Sequence, residues 1–233
     1  VFYKLDGYGF LPHERWHIWT VDTQSGETKQ LTAGPVFDEL EPAWSPDGKL
    51  IAYISNRNPD PDLARGDTSL FVIPAAGGAE RQIETSSQAL LPSFSPDGKW
   101  LAYIGQRDYT QWWQNNDLWV TPIDGSAAAR NLTANFDAAI DTASINDLNF
   151  GHALQAPAWS PDGKTLYFQV GKDGSNFLMS VNLRSGEIKT VLSEKGFVGG
   201  FDVDRAGKIL AYFFGTMSDP GQIFVHPVGG QDS

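Results

Sequence analysis

The sequence predicts an all-β fold: a β-propeller segment of four-stranded antiparallel blades, three complete and two partial. Three observations carry this reading. A five-residue turn recurs as Ser45-Pro46-Asp47-Gly48-Lys49, Ser95-Pro96-Asp97-Gly98-Lys99 and Ser160-Pro161-Asp162-Gly163-Lys164, with a degenerate copy at Asp204-Arg205-Ala206-Gly207-Lys208. Short apolar runs flank every copy. Gly 24 and Pro 14 in 233 residues are more breakers than a helix-rich chain can place.

The turn has a physical logic. Ser, Pro, Asp and Gly suit successive positions of a type I turn, with proline fixing φ and aspartate bonding back to the backbone. Glycine then takes the left-handed position that closes a three-residue hairpin with a bulge. Each copy therefore joins two antiparallel strands. The repeat glycines are separated by 50, 65 and 44 residues, so loops of different length interrupt a constant unit.

The elements follow in order. Val1–Leu5 reads as a second strand, Trp16–Val21 as a third, Ser25-Gly26 as a turn and Gln30-Leu31-Thr32 as a fourth, making a partial blade over 1–33. Complete blades are expected at 40–84, 90–133 and 154–193. Their first strands are Pro42-Ala43-Trp44, Pro92-Ser93-Phe94 and Pro157-Ala158-Trp159. Their second strands start at Leu50, Trp100 and Thr165, and their third at Leu70, Leu118 and Leu178. Each third strand meets a glycine turn and then a fourth strand ending Gln82-Ile83-Glu84, Asn131-Leu132-Thr133 or Thr190-Val191-Leu192. A partial blade over 198–233 has a third strand at Ile223–His226 and a turn at Gly229-Gly230. Four short strands per unit of about 40–50 residues is the propeller pattern. Beginning and ending within a blade suggests either a fragment or a ring closed by combining the two ends, and unpaired edges would favour an oligomer.

Composition narrows the function. A net charge of −11 opposes binding to nucleic acid or an anionic membrane surface. The chain has no cysteine, hence no thiol nucleophile. That fits a reducing compartment, and a cytoplasmic location is expected. No apolar run approaches the roughly 18 residues of a membrane span.

The ordered patterns also resemble a family. Trp-Ser-Pro-Asp-Gly-Lys followed by Ile-Ala-Tyr is similar to TolB-like propeller repeats. The longer series resembles acylaminoacyl-peptidase-like members of the prolyl oligopeptidase family: Asp6-Gly7-Tyr8-Gly9-Phe10, His17–Asp22, Gln30-Leu31-Thr32, Pro42–Gly48, Ser55-Asn56-Arg57 and Val198–Asp202. The resemblance implies a propeller, typically seven-bladed, that screens peptides by size and walls the active site of an α/β-hydrolase domain. It implies that hydrolase domain and peptide substrates as partners. This chain departs from the pattern, since no Gly-x-Ser-x-Gly nucleophile elbow occurs in it. It is therefore expected to make no catalytic machinery of its own and to need no metal or cofactor. The alternative is a free-standing TolB-like interaction propeller.

Three motifs invite other chemistry. His13-Glu14-Arg15-Trp16-His17 matches H-E-x-x-H, but zinc binding needs a helix to bring both histidines to one face. Pro12 and the strand-like run from Trp16 argue against a helix. Asn58, Asp60 and Asp62 begin like a calcium loop, but Leu63 and Ser69 replace its glycine and its bidentate glutamate. Asn131-Leu132-Thr133 is a sequon that strand alternation accounts for.

The candidate surface lies in the loops. Ser55–Ser69 and Gly105–Asp117 join second to third strands, and Ala134–Ala156 joins two blades. Both connection types open on one propeller face, opposite the short turns. Arg57 and Arg107 lie nine residues past their repeat glycines and should occupy matching places, with Lys172 as the third counterpart. Arg107 is followed by Tyr109, Trp112 and Trp113, an arginine-aromatic set suited to docking a peptide or a domain. The plainer reading pairs both arginines with nearby acids and packs the tryptophans on their own blade.

Overall fold

A computed structural model describes residues 4–5, 9–11, 13–64, 66–111, 113–142 and 154–228, and every regular element among them is a β-strand. The first complete blade is β5 (Glu39–Trp44), β6 (Leu50–Ser55), β7 (Ser69–Pro74) and β8 (Arg81–Ile83), paired in that order. It follows four short strands: β1 (Lys4–Leu5), β2 (Gly9–Phe10), β3 (Trp19–Val21) and β4 (Thr28–Gln30). The second blade is β9 (Leu90–Phe94), β10 (Trp100–Gly105), β11 (Asp117–Pro122) and β12 (Arg130–Asn131). The third is β13 (Ala158–Trp159), β14 (Thr165–Lys172), β15 (Ser175–Asn182) and β16 (Ile188–Leu192). The last described sheet has three strands of its own, β17 (Phe197–Val203), β18 (Ile209–Thr216) and β19 (Asp219–Pro227). One parallel pair, Asn176 with Phe197, ties it to the third blade.

The turn is built as its residues require, one residue longer than expected. Ser45 N donates to Leu50 O at 2.9 Å, so the loop is the four residues 46–49. Ser45 Oγ donates to Asp47 and accepts from Leu50 N, while Asp47 also accepts from Lys49 N. Ser95 and Ser160 repeat these bonds. In the degenerate copy the Asp204 carboxylate accepts from both Lys208 N and Ile209 N, replacing the serine hydroxyl. The four repeat glycines lie at φ 67–69°, where a side chain would be strained. Hydrogen bonds, led by the Ser160 hydroxyl, hold the Asp162 carboxyl down at about 2.

First strands begin earlier than the prolines suggested. β5 starts at Glu39 and β9 at Leu90, with an irregularity where Glu41 and Leu91 adopt φ of 54° and 50°. Each bulge precedes a proline that has no N–H to offer the ladder. These strands adjoin one another across blades. Leu91 N donates to Glu41 Oε2 at 2.5 Å, Ser93 Oγ to Pro157 O, and Phe201 N to Gln155 Oε1.

The amino-terminal strands depart from expectation. Lys4 and Leu5 pair with Phe10 and Gly9, not with the strand at Trp19. Gly9, at φ 75°, lets the chain fold back. The expected strand from Trp16 is regular only from Trp19. The reason is that Trp16 bonds the next blade instead, donating its N–H to Asp38 and accepting from Glu39 N. The Gly229-Gly230 turn lies outside the described residues.

Strand alternation makes the core. On β6, Ile51 and Tyr53 pack back toward Ile18, while Ala52 and Ile54 pack forward onto Leu101, Tyr103 and Trp119 of the second blade. On β10, Ala102 and Ile104 continue forward onto Leu166 and Phe168. Each blade thus offers two apolar faces, and each buried Ile, Leu or Phe contributes roughly 1.5–3 kcal/mol. The ring five residues past the repeat glycine, at Tyr53, Tyr103, Phe168 and Tyr212, always faces backward. Two faces remain uncovered. Trp19 and Val21 are exposed at one end, and Ile223, which matches the buried Leu70 in register, is 81% exposed at the other.

Candidate functional site

The two arginines singled out by the repeat arithmetic do occupy matching positions. They do not share an environment. Arg57 follows β6 and turns back over its own blade. Its Nη1 donates to Glu39 Oε1 at 2.9 Å, and its Nη2 donates to both oxygens of Glu80 at 3.0 and 3.1 Å. The guanidinium lies over the rings of Phe37 and Phe71, 4.8 and 5.0 Å from their centroids. The other Glu39 oxygen is 2.7 Å from His17 Nδ1, and Tyr53 Oη donates to Glu80. Burial, with Glu80 beside it, pushes the Tyr53 hydroxyl well above its usual range. Glu39 is only 3% exposed and both of its oxygens are engaged, so this cluster acts as an ionic lock on the first blade.

A second clamp stands beside it. Arg15 Nη1 and Nη2 donate to the two oxygens of Asp62 at 2.8 and 2.7 Å, and Nη1 also reaches Asp38. The Asp62 hydrogen bonds raise the Arg15 pKa above its already high value. Arg15 and His17 thus fasten the amino-terminal strands to the first blade. That is the role of the H-E-x-x-H run, which is not helical and places His17 on a carboxylate. The calcium-like run is similarly occupied, with Asp62 on Arg15 and Asn58 Nδ2 donating to Asp67. Asn131 donates to Asp117 from within β12. Among the described residues no three His, Asp or Glu side chains are grouped to hold a metal ion.

Arg107 differs. Its Nε donates to Asp117 Oδ2 at 3.1 Å and its Nη2 to Ala134 O at 3.3 Å. The side chain is 54% exposed, against 25% for Arg57. It borders two clefts. One, of about 650 Å³, lies between the first and second blades and is lined by Thr85, Ser86, Ser87, Gln88 and Tyr109, among others. The other, of about 420 Å³, is lined by Gln114, Asn115, Asn135 and Phe136, among others. Tyr109 leans across the seam, where a Cβ at Gly66 would lie 3.3 Å from its ring. Trp113 is exposed, and Trp112 lies outside the described residues. Lys172, the third counterpart, is exposed at the tight Asp173-Gly174 turn, so the second and third strands of its blade are joined without a long loop. The connection after β12 folds inward at Ala138 and Ile140, which join the core between the second and third blades.

Sequence reasoning missed the partners that decide the difference: Glu39, Glu80 and Phe37 for Arg57, Asp117 for Arg107. Register explains them. Glu39 corresponds to Ala89 in the second blade, Glu80 to Ala129 and Phe37 to Ser87. Without those two carboxylates Arg107 has no lock to enter. Tyr103 records the same loss. Its hydroxyl is buried with no partner at hydrogen-bonding geometry, whereas its counterpart Tyr53 has Glu80. Burial pushes the Tyr103 hydroxyl up to about 12. The signal available in the sequence was Ala89, 50 residues after Glu39; Glu80 and Ala129 are 49 apart, and only strand register matches them.

The chain matches no family model. It is 27% identical over 99% of its length to the uncharacterized peptidase YuxL of Bacillus subtilis (strain 168), and spans 35% of that protein. The fold is similar to that of a putative TolB from Agrobacterium tumefaciens, with a TM-score of 0.65 at 20% identity, covering 94% of this chain and 68% of that one. It is also similar to the β-propeller domain of the Trilobed protease from Pyrococcus furiosus, at 0.58 and 19%, over 92% and 62% of the two chains. A puromycin-hydrolyzing peptidase from Mycobacterium tuberculosis matches at 0.62 and 18%, over 89% of this chain and 30% of that one. These likenesses establish a β-propeller fold.

Proposed function

We propose that this chain is the propeller portion of a cytoplasmic serine peptidase resembling acylaminoacyl peptidase, within the prolyl oligopeptidase family. On this reading its loop face meets an α/β-hydrolase domain and gates peptide entry. The observation that carries it is the 27% identity to a peptidase along 99% of the chain, with the nucleophile elbow absent from these residues. The clefts on either side of Arg107 support it, because their lining includes hydrogen-bonding side chains of the kind that hold a peptide backbone.

The test is fluorophosphonate labelling and hydrolysis of acetylated peptides by the product of the complete gene, with residues 1–233 as control. The complete product is expected to be labelled and active, and the control inert. An unlabelled complete product sinks the proposal, as does triad-type activity in residues 1–233. A second reading, a free-standing interaction propeller, draws on the TolB likeness, and a complete product with no serine-hydrolase reactivity would favour it.

A further inference from the structure

We propose that Arg107 is a carboxylate anchor, taking the free C-terminal end of a short peptide lying in the clefts it borders. This rests on the peptide-handling reading above and names the ligand end that the site selects.

The argument begins with an internal control. The fold builds one position twice, and in the first blade both Nη atoms of the guanidinium are held by two glutamates and its face by two rings, with Nε buried and unbonded. In the second blade alanines stand at both glutamate positions, Ala89 and Ala129. The second blade lacks the stabilising lock but carries the arginine. Structure alone gives little reason to keep it, since half-exposed ion pairs stabilise by about 1 kcal/mol or less.

The remaining contacts orient the group. Asp117 is held by Asn131 Nδ2 at 2.7 Å and Thr133 Oγ1 at 3.1 Å, so it is a fixed acceptor. It takes Arg107 by Nε, the inner side of the guanidinium. The Nη end is the freer one, with Nη2 weakly bonded to Ala134 O and no hydrogen bond from Nη1 among the described residues. Two parallel N–H donors in a fixed plane match a carboxylate in a way that no lysine does. Asp117 is thus a positioning residue for the fork.

Charge sets the rest of the ligand. Asp67 and Asp108 on the first cleft already accept hydrogen bonds, from Asn58 and from Thr110 and Gln111. Glu84 also lines that cleft and Asp137 the other, and the whole chain carries −11. Polyanions are repelled. One carboxylate on a neutral or basic body satisfies both Arg107 and its surroundings. The serine, threonine and glutamine side chains along the cleft then serve the peptide backbone.

The experiment is calorimetric titration of residues 1–233 with three probes: acetyl-tetra-alanine with a free carboxylate, its C-terminal amide, and acetyl-Ala-Ala-Asp-Ala-amide. The free acid is expected to bind at least about tenfold more tightly than either amide. Arg107→Gln should abolish that preference with an unchanged unfolding midpoint. Ala129→Glu is a second route, because it restores the lock and draws the guanidinium inward. Arg107→Lys, which keeps the charge but loses the fork, should recover only part of the preference. Equal binding of acid and amide, or no binding of any probe, overturns the proposal. Tight binding of the aspartyl amide overturns it too, by assigning the arginine to a side-chain carboxylate such as a docked domain would bring. None of these outcomes touches the peptidase reading, which active-site labelling of the complete product decides.

Discussion

The first and second blades are near copies in which the same arginine has two fates. Both blades have the same turn, the same register from the turn to the end of the second strand, and an aromatic pair facing backward: Tyr53 with Phe71, Tyr103 with Trp119. In the first, Arg57, Glu39, Glu80, His17 and Tyr53 form one connected cluster. In the second, alanines stand at both glutamate positions, the tyrosine hydroxyl has no carboxylate partner and the arginine is more exposed. The lesson is that position in a repeat does not determine role. A shared backbone presents the residue, and the acids opposite decide whether it stabilises the blade or remains available.

The largest expected effect tests the locked copy. Arg57→Ala leaves the buried Glu39 with His17 as its remaining partner and takes the cation from Glu80, so the cost should be about 3 kcal/mol, the lower end for breaking a buried pair. Urea unfolding should show it as a lower midpoint at an unchanged slope. A loss below about 1 kcal/mol would mean that the cluster contributes no more than a surface pair, and the contrast between the blades would vanish.

Next comes a substitution that imposes the first blade's residue on the second. Gly105 matches Ser55, but a Cβ there would fall 1.7 Å from the Gln88 carbonyl oxygen. The second blade has drawn Gln88 close, with its N–H donating to Gln106 O. Gly105→Ser should therefore cost roughly 3 kcal/mol, as overpacking against backbone does at its upper range. The reverse change, Ser55→Gly, should cost less, since it loses one hydrogen bond to Asp38 O and adds backbone freedom.

The tyrosines give a smaller and unequal pair. Tyr53→Phe removes the donor to Glu80 and should lower stability by about 1–3 kcal/mol. Tyr103→Phe removes a buried hydroxyl that lies near Ser86 and Ser87 without a bond of good geometry, and should be close to neutral. Thermal unfolding of the two variants side by side checks this. Equal losses would show that Tyr103 Oη is satisfied after all.

What the sequence made legible in this comparison is local physics. Ser-Pro-Asp-Gly-Lys encodes its own hydrogen bonds within five residues, and two-residue alternation sorts Ile51 and Tyr53 from Ala52 and Ile54. The matching of Arg57 with Arg107 also follows from counting, because nothing is inserted between turn and loop. The fate of each arginine was not legible, because Glu39 and Glu80 lie 18 and 23 residues from Arg57 along the chain. Only paired strands bring such positions together. Trp16 was misread for a related reason: the apolar pattern from Trp16 is strand-like, but the backbone partners of Trp16 belong to the next blade, while Ile18 bonds Leu31 and Thr32 of its own unit.

The smallest expected effect is the one on which the open copy depends. Arg107→Ala removes a half-exposed ion pair whose acid keeps two other donors, Asn131 and Thr133. Asp117 therefore stays satisfied, and the loss should be under about 1 kcal/mol. Raising the salt concentration should shrink it further, because the guanidinium faces solvent. The same salt should alter the cost of Arg57→Ala much less, since Glu39 is shielded from counterions. If instead Arg107→Ala matched Arg57→Ala in size and salt response, the second arginine would be a structural residue like its twin. Its exposure would then be a consequence of loop packing rather than of a lock released.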